Sequence, residues 1–248
     1  PVIRRISIVI LGRLGVPQAA DALVNALRDP DPQARADALR SLASAKASAA
    51  LLEIAACLFD TEPEVRTAAV ETLRLLAPYP QGLTAHIEPL LHDVMPSVRA
   101  RVAAALLSIE PHAAARQTLQ TMIADSQVDV RVQALNAIGD WRDPIALEWI
   151  IGGLSDPSSL ARRAAALSMK HPIEALCAPL IRSLGDEDRS VREAAAHSIS
   201  HLGPAALDPV IDALNDPHLE GGALFTLEFL PAQKMSDKVL TYARRTST

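Results

Sequence analysis

Aromatic side chains are scarce. Two Trp, two Tyr and three Phe make up 3% of the 248 residues. So few ring faces leave little on which single-stranded bases could stack. Basic residues are not in excess either: 24 Lys and Arg stand against 29 Asp and Glu, a formal net charge of −5. That is the wrong sign for a duplex binder that neutralises phosphates, so no nucleic-acid partner is expected. No apolar run approaches the ~18 residues of a membrane span, and direct membrane insertion is not expected. The stretch at residues 6–11, behind Arg4 and Arg5, is too short to cross. A Gly-rich phosphate loop, a His-Glu-x-x-His helix and a paired-cysteine metal motif are all missing. Only two cysteines occur, Cys57 and Cys177, each in an apolar helical context. They predict free buried thiols and a reducing, cytoplasmic compartment.

What the chain has instead is a period. An Asp stands six positions before an Arg, about once every thirty residues. The pairs are Asp29 and Arg35, Asp60 and Arg66, Asp93 and Arg99, Asp125 and Arg131, Asp156 and Arg162, Asp186 and Arg192. Asp216 keeps the phase once more, with Gly222 where the Arg would stand. A fixed period of this length marks a stacked repeat, because one such unit cannot bury its own apolar face.

The register around each Arg is helical. One residue before it sits Ala34, Val65, Val98, Val130, Ala161 or Val191, and three after it Ala38, Ala69, Val102, Ala134, Ala165 or Ala195. Seven after it sits a large apolar residue such as Leu42, Leu73, Leu106, Ile138, Met169 or Ile199. These offsets close on a helix of 3.6 residues per turn, here called B. Apolar residues before each Asp, such as Leu23, Val24 and Leu27, define a second helix, A. The A–B turns carry Pro and Asp, which stop one helix and start the next. The spacing predicts one array over residues 1–248: a lone B helix at 1–15, repeats at 16–45, 46–77, 78–110, 111–142, 143–171, 172–203 and 204–231, and a terminal A helix at 232–248. Both ends fall inside a repeat, which fits either a piece of a longer protein, membrane-attached or not, or a natural chain with atypical caps.

Each recurring Arg falls inside the apolar arc of helix B. A guanidinium there must be paired, because an isolated buried charge costs several kcal/mol. The Asp that recurs with it predicts a structural ladder of charge-assisted hydrogen bonds tying turns to helices.

The pattern Asp-Pro-x-x-x-Val-Arg-x-x-Ala-x-x-x-Leu resembles the short HEAT repeat of the phycobilisome-lyase type. Asp156, Pro157, Arg162 and Ala165, then Asp186, Val191, Arg192 and Ala195, carry the likeness best. The resemblance implies an all-α, right-handed α-solenoid of stacked helix pairs with a concave B-helix face, and A helices kinked by Pro89, Pro179 and Pro209. It implies a scaffold for another protein, a helix or extended segment docking on that face, without enzymatic activity or cofactor. The alternative it implies is an accessory subunit of a bilin-lyase-type heteromeric enzyme. The hydroxylase branch of the family uses repeated His-Glu pairs as metal ligands, and this chain has no His-Glu dipeptide.

The B-helix positions read as exposed supply the candidate partner face: Asp37, Arg40, Glu71, Arg101, Gln133, Asn136, Arg163, Glu193 and His197, with Val9, Leu75, Val132, Leu167 and Leu227 as apolar spots. Polar rims around apolar spots suit a partner segment. His197 and His201 are four apart on one helix, a chelating spacing, and His171 stands one repeat before His201. The three are weak candidates for a metal, against a polar strip on a binding surface. Leu224, Phe225, Phe229 and Leu230 follow the degenerate Gly222. They predict burial under the terminal A helix, with a docking patch as the alternative.

Overall fold

The computed structural model describes residues 2–14, 17–76, 83–140, 143–168 and 172–230. Among them there are fifteen α-helices and no strand. The B helices are α1 (Val2–Leu14), α3 (Pro32–Ser44), α5 (Pro63–Leu76), α7 (Pro96–Ile109), α9 (Val128–Ala137), α11 (Ser159–Leu167), α13 (Arg189–His201) and α15 (Glu220–Leu227). Between them lie the A helices α2 (Pro17–Ala26), α4 (Leu51–Ala56), α6 (Leu83–Ile87), α8 (Ala113–Ile123), α10 (Pro144–Gly153), α12 (Cys177–Ser183) and α14 (Leu207–Ala213). The fold is an all-α solenoid of stacked helix pairs. The terminal helix expected at 232–248 lies outside the described residues, as does Met169.

Several A helices are short and continue as 3₁₀ turns, for example Cys57–Phe59 after α4 and Glu88–His92 after α6. The A-helix prolines act at these junctions rather than as kinks. Pro89 opens the 3₁₀ turn Glu88–His92, while Pro179 and Pro209 stand in the first turns of α12 and α14. First-turn N–H groups have no intrahelical acceptor, so a missing donor costs nothing there.

The chain divides into two compact units, Pro1–Met122 and Ile123–Thr248. In the first, α3 packs between α1 and α5, and α5 packs on α7, with α2 against α3 and α4 against α5. In the second, α11 packs between α9 and α13, and α13 on α15, with α10, α12 and α14 against the B helices that follow them. The core is aliphatic: Leu39, Leu42, Leu58 and Leu106 in one unit, Leu135, Ile138, Leu180 and Ile199 in the other, are all sealed from solvent.

Within each unit the B helices approach closely along a row of small residues, six positions after each ladder Arg. Ser41, Thr72, Ala105, Ala137, Ser168 and Ser198 are all buried there. Two of the hydroxyls bridge to the preceding B helix: Thr72 Oγ1 donates to the Leu39 carbonyl at 3.0 Å, and Ser198 Oγ to the Ala166 carbonyl at 2.6 Å. At Gly12, in α1, a Cβ would lie 2.5 Å from Ser41 Cβ, so only a glycine fits.

Candidate functional site

The turns between A and B helices share one construction. The Asp that ends each A segment folds its carboxylate back onto the N–H two residues on, as Asp29 does with Asp31 and Asp60 with Glu62. Asp93, Asp125, Asp156, Asp186 and Asp216 make the same Asx turn. This local bond is what Asp offers a turn that Glu, with its longer arm, does not.

The recurring Arg then joins two turns. Arg35 Nη1 donates to the carbonyls of Asp29 and Pro30, in its own turn, while Nε and Nη2 grip both oxygens of Asp60, in the next, at 2.8 Å each. Arg66 repeats this with the Asp60 and Thr61 carbonyls and the Asp93 carboxylate. In the second unit Arg131 grips Asp156, and Arg162 grips Asp186, each while holding the carbonyls of its own turn. Arg4 supplies a further rung to Asp29. Arg99 and Arg192 keep the backbone half, on the Asp93 and Val94 carbonyls and on the Asp186 and Glu187 carbonyls respectively. The ladder therefore differs from a pairing within each repeat: the same-repeat Asp gives its carbonyl, and the next repeat's Asp gives its carboxylate. Arg66 and Arg162 are buried, and Arg35 and Arg131 nearly so.

The electrostatics follow. Burial pushes the carboxyls of Asp60, Asp93 and Asp186 up, but the paired Arg and the Asx-turn N–H outweigh it and leave all three below the usual carboxylate range. The Arg131 pair is the largest influence on Asp156, and the Asp31 N–H on Asp29; both carboxyls are also lowered. The two thiols are free; burial pushes Cys57 up to about 11 and also raises Cys177. Neither is set up as a nucleophile.

Beside the ladder, the B helices present a polar face. In the first unit an ion-pair chain crosses it: Arg5 to Asp37 at 2.8 Å, Asp37 to Arg40 at 2.7 Å, Arg40 to Glu64 at 3.3 Å. Glu71 is held by Arg74 of its own helix at 3.0 Å. Arg40 is exposed, while Asp37, Glu71 and Arg101 are half-buried. Over α3, α5 and α7 this face opens into a groove of about 940 Å³. Arg40, Lys46, Glu71 and Arg101 line it, with Thr67, Ala68, Leu75 and Leu76. Leu75 is 56% exposed there.

In the second unit Asn136, Arg163, Glu193 and His197 are exposed and Gln133 is half-buried. Arg189 pairs with Glu193 at 2.6 Å. The His197 and His201 rings meet edge-on with centroids 4.5 Å apart, and His201 Nδ1 lies 2.8 Å from the His197 carbonyl. Among the described residues no group of three or more His, Cys, Asp or Glu side chains converges on a metal position. His171 lies outside the described residues. Of the apolar spots, Val9, Leu75 and Leu167 are exposed, whereas Leu227 is buried. Phe225 and Phe229 stack edge-on at 5.0 Å and are partly exposed, at 36% and 53%. The helix expected to cover them lies outside the described residues.

Lys46 is a groove residue that sequence reasoning passed over. It ends α3 in a left-handed conformation, with φ 53°. Glycine is the usual signal for such a cap, so a lysine between two alanines gave none.

HEAT-repeat models match the chain at residues 1–74, 20–107, 83–170 and 154–221. No curated protein matches it by sequence. Among solved structures, the complex of CpcE and CpcF of phycocyanin lyase from Nostoc sp. PCC7120 superposes with a TM-score of 0.56 at 17% identity, over 92% of this chain and 88% of that one. Human deoxyhypusine hydroxylase in complex with glycerol gives a TM-score of 0.39 at 20% identity, over 90% of this chain and 88% of that one.

Proposed function

The chain belongs to the HEAT-repeat family, and on that premise we propose that it is a non-enzymatic scaffold which holds a protein partner against its B-helix face. Asp37, Arg40, Glu71 and Arg101 serve that role in the first unit, and Gln133, Asn136, Arg163, Glu193 and His197 in the second. The observation that carries the reading is the groove over α3, α5 and α7, where Leu75 stands exposed inside a charged rim. A solvated face has no use for such a recess, whereas a partner helix or strand does. No nucleic acid or membrane is part of this reading.

The test is co-purification of the native partner with the wild-type chain and with Leu75→Arg. The variant should lose that partner and keep its melting temperature, since the side chain it replaces is mostly in water. Retention of the partner by Leu75→Arg would remove this face from the proposal.

A second reading, an accessory subunit of a bilin-lyase-type heteromeric enzyme, draws on the likeness to the CpcE–CpcF complex. That likeness speaks for the fold, and the reading takes from it that a chain of this fold sits in a complex of lyase subunits. Its measurement is absorbance on titration with a linear tetrapyrrole. A red-shifted, saturable band supports it, and an unchanged spectrum ends it.

A further inference from the structure

The groove of the first unit has a cationic bias that the whole chain lacks. Its one carboxylate, Glu71, is engaged by Arg74. Of its cations, Arg40 is tied to Asp37 and Glu64. Lys46 and Arg101 form no ion pair among the described residues, and both line the same recess as the exposed Leu75 and its neighbour Leu76. Two unengaged cations beside an apolar floor, in a protein of net charge −5, form a local field opposite to the global one.

The backbone at Lys46 bears on this independently. The Lys46 N–H donates to the Ala43 carbonyl at 3.0 Å and the Ala47 N–H to the Leu42 carbonyl at 3.1 Å, the pair of hydrogen bonds of a Schellman cap. Lys46 occupies its left-handed position, where a Cβ is a strain and glycine is free of it. The fold alone would be better served by glycine. A lysine there points to work for its ammonium group.

We propose that the groove over α3, α5 and α7 receives an acidic amphipathic segment of a protein partner, its carboxylates taken by Lys46 and Arg101 and its apolar side chains laid on Leu75 and Leu76. The inference rests on the reading of the B-helix face as a docking surface and adds the chemistry of what docks. Charge complementarity selects the partner and sets the salt dependence, while the leucine floor supplies contact area.

Fluorescence anisotropy on the full chain tests it with three labelled probes. They are a synthetic amphipathic helix about 15 residues long with Glu flanking a Leu stripe, the same peptide with Lys for every Glu, and a polyuridylate strand. The acidic peptide should bind, more weakly as salt rises, and the other two should not. Arg101→Glu should weaken it about tenfold. Lys46→Gly should weaken it about threefold while raising the melting temperature by about 2–4 °C. That opposite movement of affinity and stability is something a purely structural lysine would not give. Equal binding of the basic peptide, binding of polyuridylate alone, or an acidic peptide indifferent to both substitutions would overturn the proposal. Absence of peptide binding, with the native partner still lost from Leu75→Arg, sinks the acidic chemistry and leaves the docking face standing. Retention of the native partner by Leu75→Arg sinks both.

Discussion

At the scale of the residue, the ladder arginine is the informative group. Arg131 places Nε and Nη2 on Asp156 and Nη1 on the carbonyls of Asp125 and Ser126, so one planar fork joins two turns. Lysine could not reproduce this, being a single point of charge. Arg131→Ala strands a largely buried carboxylate and two carbonyls, and we expect a loss of about 2 kcal/mol, below the full value for a buried pair because some water reaches it. Arg40→Ala, at an exposed side chain with surface ion pairs, should cost under about 1 kcal/mol. Urea unfolding of the two variants checks this, and equal midpoints would count against the ladder. The recurrence of Asp and Arg was legible in the sequence. Which Asp gives its carboxylate was not, and the reason is the period itself. Asp125 lies six residues behind Arg131 and Asp156 twenty-five ahead, and both recur in step with it. Only the direction of the side chain separates the two.

At the scale of the element, the B helices stack where they can come close. The apolar offsets around each Arg located these helices, but the small row of Thr72, Ser168 and Ser198 was hidden, since scattered Ser and Thr read as surface. Their hydroxyls are satisfied by carbonyls of the neighbouring B helix or of their own helix, a partner no local pattern announces. The last described B helix, α15, goes further. A Cβ on Gly222 would stand 2.4 Å from the Leu184 carbonyl oxygen and 2.7 Å from Leu184 Cβ. The glycine that ends the arginine register thus also lets α15 settle on the end of α12. Gly222→Ala should destabilise the protein by about 1–3 kcal/mol through overpacking, despite the better helix propensity of Ala. Gly221→Ala, with open space at its Cβ, serves as the matched control. If Gly222→Ala melts at or above Gly221→Ala, the close approach is not a constraint. The groove beside α3 was only half legible. Arg40, Glu71 and Arg101 follow from helical register, but Lys46 enters through a backbone conformation that its side chain does not advertise.

At the scale of the molecule, the ladder makes stability depend on acid. Asp29, Asp60, Asp93, Asp156 and Asp186 all have lowered pKa values in the folded chain. The unfolded chain therefore binds protons more readily at these sites. Their contribution is whole above the unfolded value of about 3.9 and is lost as pH falls through the lower folded values. Far-UV circular dichroism should show the helices melting below about pH 4, and Asp156→Asn should move that midpoint toward neutrality. A helical signal flat down to about pH 2 would show that the carboxylates do not hold the turns. The repeat family and the all-α solenoid were readable at this scale because periodicity is a property of the whole chain. A partner was not, because an exposed face is free of the packing that imposes a period. At Arg35, Arg66, Arg131 and Arg162 the Arg–Asp join has the same chemistry from one step to the next. A gene that drops or copies one complete helix pair brings an equivalent fork and an equivalent carboxylate to the new seam. Growth and shrinkage in whole modules of that kind leave the forks matched, while an indel of half a module strands one, so the ladder acts as a proofreading rule on how such a chain can change length.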